Sequence, residues 1–238
     1  MSEPAFWAVM PAAGVGRRMG GRVPKQYLEL NGRAVIDHAI ERILLHPTVD
    51  GLYLALSDED QWWDETEFAG HPDLVRVSGG VERCHSVFNA LQALRSRAAA
   101  DDWVLVHDAA RPCVRRADID HLVAMLRTHE VGGLLGRPVH DTMKRTDSAD
   151  RVVSTVERSH LWHAFTPQMF RFAILFDALR DALDSGFMVT DESSAVERAG
   201  RQPVMVECHA DNLKITRPED LPLAAYYLER QASELERG

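Results

Sequence analysis

The sequence predicts an α/β fold, a doubly wound, mainly parallel sheet with a protruding β-hairpin arm. The strand candidates are short, continuous apolar runs, as expected where both faces of a sheet are covered. They alternate with amphipathic segments of helical period, a pattern typical of βαβ units. One stretch, at about 138–167, departs from this alternation and has the pattern of two paired strands.

Strands and helices alternate from the start of the chain. Residues 6–10 are the first apolar run, which ends at Pro11, and a glycine-rich turn follows at 14–20. Residues 35–45 carry apolar side chains at helical spacing. The next strand candidate covers residues 52–56. This order predicts a first βαβ unit.

The same alternation continues towards the middle of the chain. Residues 74–77 form another strand candidate, and Gly79 and Gly80 then open a helix. Residues 103–106 form a further strand candidate, which ends just before Asp108. Open α/β sheets bind ligands beyond the carboxyl ends of their strands. Asp108 is therefore a candidate functional residue.

The arm consists of two alternating segments, 139–145 and 152–156, joined by a polar turn at 147–150. A hairpin with so little apolar area is only marginally stable alone. We therefore expect it to pack against another surface, such as a second subunit. Because no linker or internal repeat interrupts the chain, we expect residues 1–238 to form a single domain that carries this arm.

The composition indicates a globular protein with an acidic surface. A formal net charge of -9 repels nucleic-acid backbones and argues against general nucleic-acid binding. Three widely separated cysteines indicate a reducing compartment rather than a disulfide framework. No basic leader opens the chain, and no apolar run approaches the roughly 20 residues that span a bilayer. We expect a cytoplasmic protein without membrane contacts.

The glycine-rich turn at 14–20 is a candidate phosphate site, because closely spaced glycines let backbone N–H groups approach a phosphate. It is not a P-loop, and Met19 stands where the dinucleotide fingerprint has its third glycine. Arg17, Arg18 and Lys25 nearby have the charges that a triphosphate needs. A structural tight turn and a solvated basic face remain alternatives at this point.

Further motifs accompany this turn in a fixed order along nearly the whole chain. They are the segments 11–19, 24–28, 79–86, 107–112, 141–145, 158–168, 189–192 and 211–220. Together they resemble the signature of sugar-phosphate nucleotidylyltransferases and are most similar to the methylerythritol-phosphate cytidylyltransferases. The resemblance implies a Rossmann-like sheet of the nucleotide-diphospho-sugar transferase type. It also implies transfer of CMP from CTP to 2-C-methyl-D-erythritol 4-phosphate, with release of pyrophosphate.

The resemblance implies a catalytic set of four cations. Arg18 and Lys25 would stabilise the charge that develops as the acceptor phosphate attacks the α-phosphate in line. Arg158 and Lys214 would align the acceptor phosphate. The chemistry supports these roles, since two anions must meet and catalysis then consists mostly of alignment and electrostatic stabilisation.

The resemblance also implies the residues that surround the nucleotide. Val81 stands where some relatives carry Asp, so only a backbone contact is expected there. Without the motif, Ser86 could equally be an ordinary hydroxyl on a helix surface. The expected nucleotide-binding residues are Ala12, Ala13, Gly14, Gly16, Gly80, Arg83 and Ser86.

Asp108 is expected to bind Mg²⁺, which prefers few protein oxygens together with substrate phosphates. The alternatives are a helix cap or a salt bridge to Arg111. His107 is more easily explained as a packed histidine than as a ligand. The 11 histidines show no metal-ligand spacing, so zinc is not indicated.

The residues that relatives use to bind methylerythritol phosphate correspond here to Asp108, Arg111, Thr142 and Thr190. Thr142 could also be an ordinary strand threonine. Together with Arg158, it lies on or beside the arm, which in this family reaches a second subunit. A homodimer with composite sites is therefore expected.

Two other functions compete with this assignment. A cytidylyltransferase for ribitol 5-phosphate would share the fold and much of the motif set, although the segments 141–145 and 162–168 look more like the methylerythritol branch. A noncatalytic nucleotide-binding protein could keep the same fold. It would not need the acceptor-aligning cations.

Overall fold

The computed structural model describes residues 3–14 and 23–236, apart from the side chain of Leu235. Its strands are β1 (Phe6–Pro11), β2 (Glu29–Leu30), β3 (Arg33–Ala34), β4 (Gly51–Leu56), β5 (Leu74–Ser78), β6 (Trp103–Val106), β7 (Gly132–Pro138), β8 (Met143–Thr146), β9 (Val152–Val156), β10 (Trp162–Arg171) and β11 (Val204–Glu207). Its helices are α1 (Val35–Leu44), α2 (Arg83–Leu94), α3 (Arg116–Leu126), α4 (Phe172–Asp184), α5 (Glu192–Arg198) and α6 (Asp220–Leu235).

The central sheet has seven strands in the order β11-β7-β10-β6-β1-β4-β5. Neighbouring strands are parallel except where β10 pairs antiparallel with β6 and β7. In β1, Val9 pairs with Tyr53 on one side and with Val106 on the other. The predicted doubly wound, mainly parallel sheet is confirmed.

Both faces of the sheet are covered, which explains the continuous apolar runs in the sequence. Ala8 and Met10 of β1 point into a core that includes α1 and α3 side chains. Trp7 and Val9 point to the opposite face, into a core shared with α2 and α4. The side chains of one strand thus belong alternately to two cores, because successive side chains point to opposite faces of the sheet.

The arm is a separate two-stranded ladder, in which Met143 pairs with Val156 and Thr146 with Val152. Its strands are almost entirely exposed to solvent. The expected strand at 139–145 is wrong in its first half, because β7 ends at Pro138 and β8 starts only at Met143. β10 then runs from the base of the arm into the central sheet, where Gln168 pairs with Val106.

Within the described part of the chain, no helix is both long enough and apolar enough to cross a membrane.

Candidate active site

Asp108 lies two residues beyond the carboxyl end of β6, at the edge of the sheet where the parallel strands end. Its Oδ1 accepts a 2.8 Å hydrogen bond from Nε of Arg83, and its Oδ2 lies 2.7 Å from Nζ of Lys214. The Nε of Arg111 lies 3.7 Å from the same Oδ2. Three cations from separate segments of the chain therefore converge on one carboxylate.

The charges in this cluster fix its protonation. Burial alone would raise the pKa of Asp108, but Arg83, Lys214 and Arg111 hold that pKa well below its usual range. Burial would lower the pKa of Arg83, but the carboxylates of Glu192 and Asp108 raise it above its ordinary value. Asp108 is therefore ionised and Arg83 is charged at neutral pH.

Glu192 holds Arg83 in this position. Its Oε1 and Oε2 accept hydrogen bonds of 2.7 and 3.0 Å from Nη1 and Nη2 of Arg83, and its side chain is fully buried. Such a two-point contact fixes the plane of the guanidinium. Glu192 belongs to the family motif at 189–192, which by itself predicts no role for it. The only sign of a role in the sequence was that its carboxylate follows Asp191, the residue that caps α5.

The first cavity at this edge of the sheet has a volume of about 190 Å³. It contains six of the seven expected nucleotide-binding residues; Gly16 lies outside the described residues. We call it the nucleotide cavity. The residues that line it are Pro11, Ala12, Ala13, Gly14, Lys25, Gln26, Gly80, Val81, Glu82, Arg83, Ser86, Asp108, Ala109, Ala110 and Lys214.

One wall of the nucleotide cavity depends on two glycines. A Cβ on Gly79 would lie 2.2 Å from Cβ of Ala13, and a Cβ on Gly80 would lie 2.3 Å from Cβ of His85. Any larger residue would therefore force the backbone to move. Ser86 is buried, and its Oγ accepts a 3.0 Å hydrogen bond from the Gly80 amide. Ser86 is thus part of the wall and not a surface hydroxyl.

Lys25 reaches the nucleotide cavity from a short 3-10 turn, Lys25–Tyr27. Its Nζ donates a 3.0 Å hydrogen bond to the carbonyl of Ile215, next to Lys214 in the chain. This contact joins segments 190 residues apart. The structure thus brings two of the four expected catalytic cations to one cavity.

A second cavity of about 160 Å³ also has Asp108 in its wall. It contains three of the four expected acceptor-binding residues, Asp108, Arg111 and Thr190, and we call it the acceptor cavity. Arg83, Asp108 and Lys214 belong to the walls of both cavities. The full lining is Arg83, Asp108, Arg111, Ala164, Phe165, Thr166, Gln168, Thr190, Asp191 and Lys214.

Arg111 is the buried cation of the acceptor cavity. Its guanidinium lies 4.8 Å from the centre of the Phe165 ring, and Nη1 donates a 2.7 Å hydrogen bond to the Asn212 carbonyl. Its buried Nε finds no hydrogen-bond partner among the described residues. A buried donor without a partner is costly, so this group is well placed to bind an anionic ligand.

His107 is a packed histidine that contacts Arg111 and Thr166 next to Asp108. Its Nε2 lies 3.0 Å from the Arg111 carbonyl and its Nδ1 lies 3.1 Å from Oγ1 of Thr166. That hydroxyl also accepts a 3.1 Å hydrogen bond from the Asp108 amide. Complete burial lowers the pKa of His107 to about 4, so the ring is neutral. A neutral ring that donates from Nε2 and accepts at Nδ1 satisfies all these contacts.

Of the other expected site residues, Arg18 falls outside the described residues. Within the described chain, Thr142 and Arg158 are exposed on the arm and line neither cavity. A guanidinium nitrogen of Arg158 donates to the carbonyl of His140. Thr142 precedes β8 and is therefore not a strand residue.

Comparison with known proteins identifies the family of this chain. The family model described as 2-C-methyl-D-erythritol 4-phosphate cytidylyltransferase matches residues 6–230. A relative of that name from Hahella chejuensis is 51% identical over 236 residues, covering 99% of this chain and 98% of the relative. One from Pseudomonas fluorescens is 53% identical over 221 residues, covering 92% and 94%.

Solved structures give the same result. The Francisella tularensis 2-C-methyl-D-erythritol 4-phosphate cytidylyltransferase superposes with a TM-score of 0.82 at 35% identity, covering 94% of this chain and 99% of that one. A structure of 4-diphosphocytidyl-2C-methyl-D-erythritol synthase has a TM-score of 0.83 at 35% identity, covering 96% of this chain and 100% of that one. This chain belongs to the 2-C-methyl-D-erythritol 4-phosphate cytidylyltransferase family.

Proposed function

We propose that this chain transfers CMP from CTP to 2-C-methyl-D-erythritol 4-phosphate, with CTP in the nucleotide cavity and the acceptor phosphate in the acceptor cavity. The observation that supports this most directly is the shared wall of Arg83, Asp108 and Lys214. An acceptor on one side of that wall can approach a triphosphate on the other. The products are 4-diphosphocytidyl-2-C-methyl-D-erythritol and pyrophosphate.

The lysines bring the two anions together. Lys25 faces the nucleotide cavity and would stabilise the charge that grows on the α-phosphate and on the departing pyrophosphate. Lys214 faces both cavities, so it can hold the acceptor phosphate in line for attack. Positioned cations of this kind act by charge and alignment, without a covalent enzyme intermediate. Arg18 is assigned the same role as Lys25 from the family motif.

Arg111 gives the acceptor cavity its preference for an anion. Its buried Nε has no hydrogen-bond acceptor among the described residues, because Oδ2 of Asp108 lies 3.7 Å away, beyond hydrogen-bond distance. A phosphate oxygen of the substrate would satisfy this donor. Thr190 also lines this cavity, is exposed, and offers a hydroxyl for the polyol part of the substrate.

Asp108 fits the role of a Mg²⁺ ligand. It is ionised, it faces the nucleotide cavity, and a carboxylate has about four lone-pair positions. Arg83 and Lys214 each take one position, on different oxygens, so each oxygen keeps another. One carboxylate plus substrate phosphates is a set that Mg²⁺ favours. When bound, Mg²⁺ would offset the charge of the triphosphate.

The arm is proposed to complete the acceptor cavity of a second copy in a homodimer. Thr142 and Arg158 line neither cavity of their own chain, and the arm exposes 63% of Val152 and 64% of Val153. Pairing would cover these side chains, which a hairpin of this size cannot bury itself. Sedimentation at micromolar concentration is expected to give the mass of two chains; the mass of one chain would contradict the dimer.

A cytoplasmic location is part of the same proposal. All three cysteines are buried as free thiols. Free thiols are stable in a reducing compartment.

The proposed reaction is tested by measuring pyrophosphate release from CTP, Mg²⁺ and each of two acceptors. The kcat/KM for 2-C-methyl-D-erythritol 4-phosphate is expected to exceed that for ribitol 5-phosphate, and EDTA is expected to stop turnover until Mg²⁺ is restored. Faster turnover of ribitol 5-phosphate would contradict the acceptor assignment. Binding of CTP without pyrophosphate release from either acceptor would indicate a noncatalytic nucleotide-binding protein.

A further inference from the structure

A cluster of three potential metal ligands lies at the rim of the nucleotide cavity, apart from Asp108. Glu82 immediately precedes α2, and Cys84 and His85 lie in its first turn. One ligand atom from each of these three residues falls within 4.8 Å of the other two. This is the one such group among the described residues.

Two distances within this cluster are close to those of a zinc site. The Sγ of Cys84 lies 3.8 Å from Oε2 of Glu82 and 3.8 Å from Nδ1 of His85. Bond lengths of about 2.3 Å to sulfur and about 2.0 Å to nitrogen or oxygen place tetrahedral zinc ligands roughly 3.5 Å apart, about 0.3 Å less than these two distances. The ligand atoms of Glu82 and His85 lie within 4.8 Å of each other, and the exposed Glu82 side chain can rotate towards the other two ligands.

The chemistry of the three donors selects a soft divalent cation. A thiolate and an imidazole suit Zn²⁺, whereas Mg²⁺ prefers oxygen ligands. Because zinc binds the thiolate form of cysteine, metal binding would displace the proton of Cys84. Glu82, Cys84 and His85 would leave a fourth tetrahedral position for water, as in three-ligand zinc sites.

We propose that Glu82, Cys84 and His85 form a Zn²⁺ site at the rim of the nucleotide cavity. The spacing of histidines in the sequence gave no sign of it, because a single histidine takes part and its partners are a cysteine and a glutamate. Glu82 also lines the nucleotide cavity. Zinc bound here would fix a side chain that otherwise faces the triphosphate. The site is separate from the Mg²⁺ position at Asp108 and does not depend on the proposed reaction.

The site is tested by titrating the purified chain with Zn²⁺ in competition with a chromophoric chelator. The wild-type chain is expected to bind one tight equivalent. Cys84→Ser and His85→Gln are each expected to weaken that equivalent by more than roughly 100-fold, the upper end for losing a mere supporting group. Cys208→Ser, which alters a buried cysteine that contacts the Gly136 carbonyl instead, is the matched control and is expected to bind normally.

Cobalt substitution gives a second readout that a structural role would not move. Co²⁺ is expected to produce a thiolate charge-transfer band in the wild-type chain and in Cys208→Ser, but not in Cys84→Ser. Circular dichroism checks that each variant is folded. Three results would overturn the site: no tight equivalent in the wild type, unchanged affinity in folded Cys84→Ser, or an equal loss in Cys208→Ser.

Discussion

The nucleotide cavity and the hairpin arm differ in how far a single chain completes them. Every charged group around Asp108 has a partner or a cavity to face, and the supporting side chains of Glu192 and His107 are buried. The arm carries Thr142 and Arg158 on exposed backbone with little apolar support. Within the described residues, one chain forms the walls of both cavities, whereas Thr142 and Arg158 on its arm line neither of them.

The largest effect is expected on the cavity side, from Lys25→Ala. Loss of one positioned cation should lower kcat/KM by about 10²- to 10³-fold, because the charge developing in the transition state is no longer stabilised. Steady-state pyrophosphate release measures this change. Arg180→Ala is the control for loss of a cation, since Arg180 lies on α4, lines neither cavity and pairs with Asp177 and Asp181. Wild-type activity in folded Lys25→Ala would remove the proposed mechanism while leaving the fold assignment intact.

The scaffold beneath the cavities should lose stability in acid through His107. Its pKa of about 4 in the folded chain lies below the ordinary value of 6.5. Between these two pH values, His107 therefore binds a proton in the unfolded chain but stays neutral in the folded chain. The free energy of unfolding should therefore fall as pH drops from 6.5 to 4, by up to about 3 kcal/mol from this group.

Urea unfolding at several pH values measures that slope. The contribution of His107 is isolated by comparison with His107→Asn, provided circular dichroism shows this variant to be folded. An equal slope in both proteins would show that His107 is not the group responsible.

A smaller effect is expected from Glu192→Gln. The amide keeps the shape of the carboxylate but removes its charge, so Arg83 loses an ionic partner worth about 1.5–3 kcal/mol. Arg83 should then shift away from Asp108, raising the KM for CTP by roughly 10-fold or more, with a smaller change in kcat. Glu197→Gln is the control, since Glu197 lies on the same helix, lines neither cavity, and accepts a 2.9 Å hydrogen bond from the Ser193 hydroxyl. Equal KM values in the two variants would contradict the positioning role.

The smallest effect, and the sharpest test of the comparison, comes from mixing two inactive variants. If the sites are composite, a hybrid of Lys25→Ala and Arg158→Ala has one site with both residues intact. Random exchange should restore about a quarter of the wild-type sites. Activity of the mixture, measured after incubation that allows subunit exchange, is compared with each variant alone. No recovery despite demonstrated exchange would place Arg158 in the site of its own chain.

The sequence predicted the central sheet well because its signal was local. Covered strands must be continuously apolar, and the run at 103–106 became β6 with the predicted bounds. The arm was predicted less accurately. In a solvent-exposed segment, both strand and turn residues are polar, so the alternation at 139–145 could not locate the start of β8 at Met143.

The site residues that lie in family motifs were predicted from the sequence. Residues whose role depends on a contact with a distant side chain were predicted less well. Asp108, Arg111 and Lys214 were all expected, yet the contact between Arg83 and Glu192 joins positions 109 residues apart. No local pattern encodes such a pairing. The zinc cluster was missed for a different reason, since no single spacing rule covers a mixed set of Glu, Cys and His. Arg18 and Gly16 stay predictions from the family motif.

The shared wall has a thermodynamic consequence for ligand binding. Arg83 and Lys214 contribute to both cavities, so an anion that binds on one side changes the field felt on the other. Whatever factor CTP imposes on the affinity for the acceptor, the acceptor must impose on the affinity for CTP. With CTP in one cavity and the acceptor in the other, as proposed, the two substrates would be linked energetically through one ion cluster, without any movement of the sheet.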